Sequence, residues 1–279
     1  MELYRDIIAA PHTLIAGTTG SGKSNVLNGI IRQIMTDRTP QTARLYLIDP
    51  KRVELSVYKN TAFVDEYTAD SLDALAILDK AIAEIERRYM VMEMQGIRDF
   101  HGTDIYIIID ELADLMISPE NREIRRKLQK IEQIGRAAAV HVIAATQAPN
   151  RTIIPANIVL NFTNRLALRC LSGIESRQII NVSSAEELPR YGQGMYLSPD
   201  GIKRVNIPKT DDFTDIVSKW QRVAPQRTTT RRIPRLEPKK APKEYPESVP
   251  MKNKGLSPQV AMFIAMAAIV YGFIGTALI

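Results

Sequence analysis

One eight-residue stretch constrains the fold of this chain more than any other feature. Gly17–Ser24, with the sequence GTTGSGKS, fits the pattern G-x-x-x-x-G-K-[ST]. A short apolar run, Thr13–Ala16, precedes it, and Lys23–Met35 carries apolar residues at helical spacing. Glycines let the backbone turn tightly, so that its N–H groups point at a phosphate, and the following helix directs its N-terminus at the same anion. The stretch therefore predicts a phosphate-binding loop between a strand and a helix.

The residue types of this loop assign roles to its members. Lys23 is expected to reach the β- and γ-phosphates of a nucleotide, and the Ser24 hydroxyl is expected to bind Mg²⁺. ATP and Mg²⁺ are thus the predicted cofactors. The predicted ATP-binding residues are Gly17, Thr18, Thr19, Gly20, Ser21, Gly22, Lys23 and Ser24.

The second half of such a site is an acid at the end of a buried strand. Ile107–Ile109 is an apolar run, and Asp110 and Glu111 follow it directly. Asp110 is expected to hold Mg²⁺ through water, and Glu111 to orient and deprotonate the attacking water. The plainer alternatives are a strand-end cap for Asp110 and a solvated first-turn acid for Glu111. Gln147 ends another apolar run, where its amide can contact the γ-phosphate or serve as an ordinary strand-end side chain.

Strand and helix patterns alternate through residues 1–222, which predicts an α/β fold around a mainly parallel sheet covered on both faces. Besides the elements at the loop, the patterns favour strands and helices at fixed positions. The expected strands are Leu45–Ile48, Ile105–Ile109, His141–Ala145, Arg165–Leu168, and Met195–Leu197 paired with Ile202–Val205. The expected helices are Asp70–Gln95, Asn121–Ala138 and Asp212–Trp220.

The charge of the chain is unevenly distributed. The net charge is +6, yet residues 1–222 hold 28 basic and 28 acidic residues, and the whole excess lies in 223–258. That segment contains seven prolines and is expected to be a semi-extended basic linker. A neutral globular part gives no global argument for nucleic-acid binding, so such a function must rest on a local site.

The carboxyl-terminal segment, 259–279, contains no charged residue. As a helix it would span about 30 Å, the thickness of the bilayer hydrocarbon. With a basic linker before it, the segment is expected to be a single transmembrane helix that leaves the globular part in the cytoplasm. The alternative is a buried helix docked on the globular part.

Cysteine and histidine content excludes other classes of site. Cys170 is the single cysteine, which rules out an internal disulfide and a Cys-rich zinc site. The three histidines, His12, His101 and His141, lie far apart and show no metal-ligand spacing.

The sequence resembles the motor domain of the FtsK/SpoIIIE family of double-stranded DNA translocases. The resemblance spans about residues 11–220. It is carried by PHTLIAGTTGSGKS (Pro11–Ser24), LIDPKRVELSVY (Leu47–Tyr58), EIERRYMVM (Glu84–Met92), IIIDELADLM (Ile107–Met116), GRAAAVHVIAATQAP (Gly135–Pro149), ESRQII (Glu175–Ile180) and YGQGMYL (Tyr191–Leu197). It implies a RecA-like P-loop fold, a homo-hexameric ring with double-stranded DNA in its pore, and ATP between subunits.

The resemblance also implies an arginine that reaches the γ-phosphate of the neighbouring subunit. Arg136 is the first candidate, and Arg165 and Arg177 are the reserve candidates. Loops that face the pore in the family correspond to Asn150–Ala156 and to the stretch near Arg190–Gly194. Such loops are expected to contact phosphates rather than bases.

The expected function is therefore that of a membrane-anchored, ATP-dependent double-stranded DNA translocase that moves the DNA of a mobile element, plasmid or virus. Two alternatives stay open. One is a viral genome-packaging or conjugative coupling ATPase, which shares the chemistry and differs in the partner. The other is an ATP-switched tether between DNA and membrane, which would not need the full hydrolytic set of Lys23, Ser24, Asp110 and Glu111.

Overall fold

A computed structural model describes residues 2–147, 150–210 and 213–222, and eight of its strands form one sheet. The strands are β1 (His12–Ala16), β2 (Ala43–Ile48), β3 (Val64–Thr68), β4 (Asp104–Ile109), β5 (Val140–Thr146), β6 (Asn164–Ala167), β7 (Gln193–Ser198) and β8 (Gly201–Asn206). Their order is β3-β2-β4-β5-β1-β6-β7-β8. Strands β1 to β6 pair in parallel, and β7 and β8 are antiparallel. The prediction of a mainly parallel α/β sheet is confirmed.

Helices cover both faces of this sheet. They are α1 (Glu2–Ala9), α2 (Lys23–Asp37), α3 (Ser71–Gln95), α4 (Leu112–Ile117), α5 (Asn121–Ile134), α6 (Ala156–Asn161), α7 (Gly173–Ile180) and α8 (Thr214–Lys219). Successive residues of a strand point to opposite faces. Accordingly Ile108 joins the apolar core beneath α1 and α2, whereas Ile107 and Ile109 join the core beneath α3 and α5. Burial on both faces explains why β4 carries no charged residue from Ile105 to Ile109.

The structure shortens one predicted helix by four residues and adds elements that the sequence patterns missed. The helix expected to reach Ala138 ends at Ile134. Gly135, directly after the helix, is packed so closely that an added Cβ would lie 2.6 Å from the Ile131 carbonyl oxygen and 2.7 Å from the Val140 carbonyl oxygen. The short elements α1, β3, α4, α6 and α7 were not predicted. The last expected helix is present as α8, although Asp212 lies outside the described residues.

The predicted linker, 223–258, and the predicted transmembrane helix, 259–279, lie outside the described residues. Within the part that is described, no helix combines the length and the apolar character needed to cross a membrane.

The register of the central strands determines where the site can form. Ile109 at the end of β4 pairs with Ala144 of β5, and Thr146 at the end of β5 pairs with Ala16 of β1. The carboxyl ends of β4, β5 and β1 therefore meet at one edge of the sheet. The segments after these ends carry Asp110, Gln147 and Gly17.

Candidate nucleotide site

The phosphate loop is attached to the strands on either side of β1. The Gly17 N–H donates to the Thr146 carbonyl oxygen over 3.3 Å, and the Thr18 N–H donates to that of Arg169 over 3.0 Å. Gly20 and Gly22 have φ angles of 73° and 101°. Residues with side chains rarely adopt such angles, so these two positions favour glycine. The loop thus has the strand before it, the helix after it and the backbone turn that the sequence predicted.

Lys23 is buried within this loop. Its Nζ donates to the carbonyl oxygens of Gly17, over 2.6 Å, and Thr18, over 3.0 Å. Burial lowers the pKa of this amine to about 8, although the negative charge of Glu111 acts to raise it. The amine therefore lies among the backbone groups that would surround a phosphate, in a place where an added anion would favour its charged form.

Asp110 is 8% exposed and lies among other carboxylates. Burial, followed by the charges of Asp49, Glu54 and Glu111, raises its pKa to about 7. An acid held in excess negative charge suits a divalent cation, since the cation offsets the repulsion.

Ser24, half-buried in the first turn of α2, offers a hydroxyl near the same loop. Among residues 2–147, 150–210 and 213–222, no group of three or more His, Cys, Asp or Glu side chains forms a metal site. A Mg²⁺ ion that arrives with a nucleotide does not require such a cage, because it takes one or two protein oxygens together with phosphates and waters. The residues present therefore fit Mg²⁺ held by Ser24 and Asp110.

Glu111 is not a solvated acid, because it is only 2% exposed. Its Oε1 accepts hydrogen bonds from Thr146 Oγ1 over 2.9 Å and from the Gln147 N–H over 3.1 Å. Its Oε2 accepts from Lys51 Nζ over 3.0 Å and, at 3.3 Å, from the same Gln147 N–H. A carboxylate held on both oxygens has a fixed orientation at the edge of the phosphate loop.

Gln147 connects this carboxylate to the loop. Its backbone N–H donates to Glu111, and its side-chain Oε1 accepts a hydrogen bond from Thr19 Oγ1 over 2.7 Å. A shift of Thr19 in the phosphate loop can therefore be transmitted to Glu111 through Gln147. This geometry places the strand-end amide beside the phosphate loop, and its contact with a γ-phosphate stays a prediction.

The three arginine candidates have different surroundings. Arg165 is buried, and its guanidinium donates to the carbonyl oxygens of Phe162 and Ile179. A side chain held inside the fold in this way does not extend to another subunit. Arg136 is exposed just before β5, at the sheet edge opposite the phosphate loop, and Arg177 is exposed on α7. Only the last two have the exposure that contact with a neighbour requires.

Two further residues lie at the site, and neither was predicted there from the sequence. Lys51, in the segment after β2, forms the ion pair with Glu111. Arg190 was expected near a DNA-facing loop, yet its Nη2 lies 3.0 Å from the point where a Cβ on Gly20 would stand. The DPKRVE stretch was a signal for Lys51, but only the strand order, which puts β2 beside β4, brings it to Glu111.

These features define a P-loop nucleotide-binding protein with a RecA-like α/β sheet. A profile of the FtsK/SpoIIIE family matches residues 1–107. The chain is similar to the DNA translocase FtsK of Chlorobaculum tepidum, with 35% identity over 241 residues that cover 77% of this chain and 30% of the relative. It is also similar to the DNA translocase FtsK of Staphylococcus aureus strain Mu50, with 37% identity over 207 residues that cover 67% of this chain and 26% of the relative. The matched part of this chain is therefore a motor domain of the FtsK/SpoIIIE family. The chain spans less than a third of the length of these relatives.

Solved structures share the fold at lower identity. The conjugation coupling protein TcpA of pCW3, in its monomer form with ATPγS, superposes with a TM-score of 0.67 at 22% identity, covering 77% of this chain and 66% of that chain. The cytoplasmic domain of the Type VII secretion ATPase EccC of Thermomonospora curvata superposes with a TM-score of 0.61 at 21% identity, covering 76% of this chain and 28% of that chain. At such identities the likeness concerns the fold alone.

Proposed function

We propose that this chain is an ATPase that uses ATP hydrolysis to move along double-stranded DNA. The observation that supports this most is the placement of Glu111, a buried carboxylate oriented by four hydrogen bonds beside a complete phosphate loop. A site that only bound nucleotide would not need a base fixed at this position. The identity to curated relatives named as DNA translocases supports DNA as the substrate of the motor.

The roles of the residues follow from their positions. The backbone N–H groups of the phosphate loop and the Lys23 amine hold the phosphates, with Ser24 and Asp110 as the ligands for Mg²⁺. When bound, Mg²⁺ neutralises charge on the β- and γ-phosphates. Glu111 orients a water molecule and accepts its proton, and Gln147, held between Thr19 and Glu111, registers whether the γ-phosphate is present.

The proposed assembly is a homo-hexameric ring in which a neighbour completes the site. We propose Arg136 as the arginine supplied in trans, with Arg177 as the second candidate. Arg136 lies at the sheet edge opposite its own phosphate loop, so its part in hydrolysis requires a neighbouring subunit. Its exposure leaves the guanidinium accessible to such a neighbour.

The proposed mode of DNA binding is independent of sequence. Residues 1–222 are neutral overall, so a few local charges in the pore would contact phosphates, while the nine basic residues of 223–258 add affinity for DNA or for anionic lipid. We further propose that 259–279 anchors the chain in the membrane as a single helix, with the motor in the cytoplasm and 223–258 as the linker. Such an arrangement suits the transfer of the DNA of a mobile element, plasmid or virus.

Turnover of ATP with and without linear duplex DNA tests the function. We expect duplex DNA to stimulate hydrolysis severalfold, and Lys23→Ala to abolish both nucleotide binding and turnover. Glu123→Gln, an exposed acid on α5, serves as a control that should behave as wild type. Hydrolysis that duplex DNA does not change would favour a tether that binds ATP and DNA without translocation.

A further inference from the structure

A cavity of about 420 Å³ opens beside the phosphate loop. Its walls come from three places in the chain. Ser21 and Gly22 belong to the loop, Asn25 to α2, and Tyr191, Gly192 and Lys209 to the segments that flank β7 and β8. Cavities of this size are typical of small-ligand sites. Because one wall is the phosphate loop itself, a nucleotide bound there would extend its nucleoside part into this cavity.

The wall formed by α2 and the segment after β8 is held rigidly. Asn25 Nδ2 donates to the Pro208 carbonyl oxygen over 2.9 Å, and the Thr210 N–H donates to Asn25 Oδ1 over 2.6 Å. The Thr210 hydroxyl also donates to the Asn25 carbonyl oxygen over 2.9 Å. Asn25 thus uses its side chain to shape the cavity rather than to contact a ligand.

The wall formed by the segment before β7 carries the side chains that can bind a ligand. The segment before β7 is attached where the Ile207 N–H donates to the Gly192 carbonyl oxygen over 2.8 Å. Tyr191, just before it, lines the cavity and is 59% exposed. The Arg190 guanidinium lies 5.3 Å from the centroid of that ring and against Gly20. Arg190 therefore lies between the Tyr191 ring, which lines the cavity, and Gly20 of the phosphate loop.

The charge of Arg190 is available to an anion. Among the described residues, no Asp or Glu forms a salt bridge with it. A guanidinium beside a phosphate loop can donate paired hydrogen bonds to phosphate oxygens, and an aromatic face can stack on a purine ring.

We propose that Arg190 and Tyr191 clamp the nucleotide from within the same subunit. Arg190 binds the polyphosphate over Gly20, and Tyr191 packs on the purine base in the cavity. This inference rests on the proposed function, because it names how the ATP site of that function is closed. It replaces the expectation that the Arg190–Gly194 stretch faces DNA.

The test separates phosphate contacts from base contacts. Dissociation constants of the full-length chain are measured at one salt concentration for ATPγS and, by competition, for inorganic tripolyphosphate, which has no base. We expect Arg190→Ala to weaken both ligands about tenfold, the loss of one charge-assisted contact. Tyr191→Ala should weaken ATPγS severalfold and leave tripolyphosphate unchanged, while Tyr191→Phe keeps the ring and binds as wild type. Arg98→Ala, an exposed arginine before β4 at the other sheet edge, is the matched control.

The possible outcomes distinguish failure of the proposed clamp from failure of the proposed ATPase function. One outcome is that wild type binds ATPγS, Lys23→Ala does not bind it, and the Arg190 and Tyr191 variants bind as wild type. In that case the proposed clamp is refuted and the proposed ATP site is retained. If Arg190→Ala instead lowers affinity for duplex DNA with ATPγS affinity unchanged, Arg190 belongs to a DNA-contacting loop. If wild type binds neither ligand, both the clamp and the proposed function fail.

Discussion

Replacing Glu111 with glutamine separates hydrolysis from binding at this site. The carboxylate accepts hydrogen bonds from Thr146 and from the Gln147 N–H on one oxygen, and from Lys51 and the same N–H on the other. A glutamine keeps one acceptor oxygen, so it can retain the contacts with Thr146 and Gln147. Its amide nitrogen then faces Lys51, and two donors cannot pair.

The structural cost of this substitution is small compared with the catalytic cost. The Lys51 side chain is 39% exposed, so its amine can turn to water, and the net loss should be about 1 kcal/mol of folding free energy. Loss of a positioned general base lowers a rate by about 10²–10⁴-fold, or roughly 3–5 kcal/mol in the barrier. The variant should therefore fold and bind ATP while turnover nearly stops.

The assay measures the ATPγS dissociation constant and the steady-state ATP turnover of both proteins, with duplex DNA present. We expect Glu111→Gln to bind within about threefold of wild type and to hydrolyse at least about a hundredfold more slowly. Glu123→Gln, the same chemical change at an exposed site, should alter neither value. A Glu111→Gln enzyme with near-normal turnover would remove Glu111 from the role of base.

Three further substitutions test the account at other positions. Lys51→Met should lower turnover about tenfold with unchanged ATPγS affinity, since it removes one of the donors that orient Glu111, and an unchanged turnover would refute this positioning role. Burial raises the pKa of Glu132 to about 8, so its neutral form stabilises the fold below about pH 4.5, and this stability is lost as pH rises through 8. Glu132→Gln should thus raise the melting temperature more at pH 8.5 than at pH 5, and an equal shift at both would contradict this. Buried Arg88 donates to Glu84 and to the carbonyl oxygens of Ala138 and Ala139, so Arg88→Met should cost about 2–3 kcal/mol in denaturant unfolding without weakening ATPγS binding.

The phosphate loop and the two acids were predictable because each is local in sequence. The glycine spacing before Lys23 indicates a tight turn, and the apolar run Ile107–Ile109 indicates a strand buried on both faces. Asp110 and Glu111 directly follow this strand, so they lie at the edge of the sheet. The alternation of patterns also predicted the parallel sheet. These features depend on backbone geometry within a few residues, which the sequence carries directly.

Contacts that depend on strand order were not predictable in the same way. Lys51 meets Glu111 because β2 lies next to β4, although 60 residues separate the two side chains in sequence. Arg190 meets Gly20 because β7 returns antiparallel beside β6, which itself lies next to β1. The end of α5 was missed for a related reason, because the helical pattern does not reveal the close packing of Gly135 against Val140.

Displacement of a triplex-forming oligonucleotide from a linear duplex tests the central claim most directly, because only a protein that moves along the duplex removes the third strand. With Mg²⁺ and ATP, the full-length chain should release the labelled strand at a rate that rises with ATP concentration. ATPγS should not support release, and Glu111→Gln should bind the duplex and leave the triplex in place. ATP hydrolysis stimulated by duplex DNA without any displacement would contradict translocation and leave a DNA-dependent ATPase that does not move.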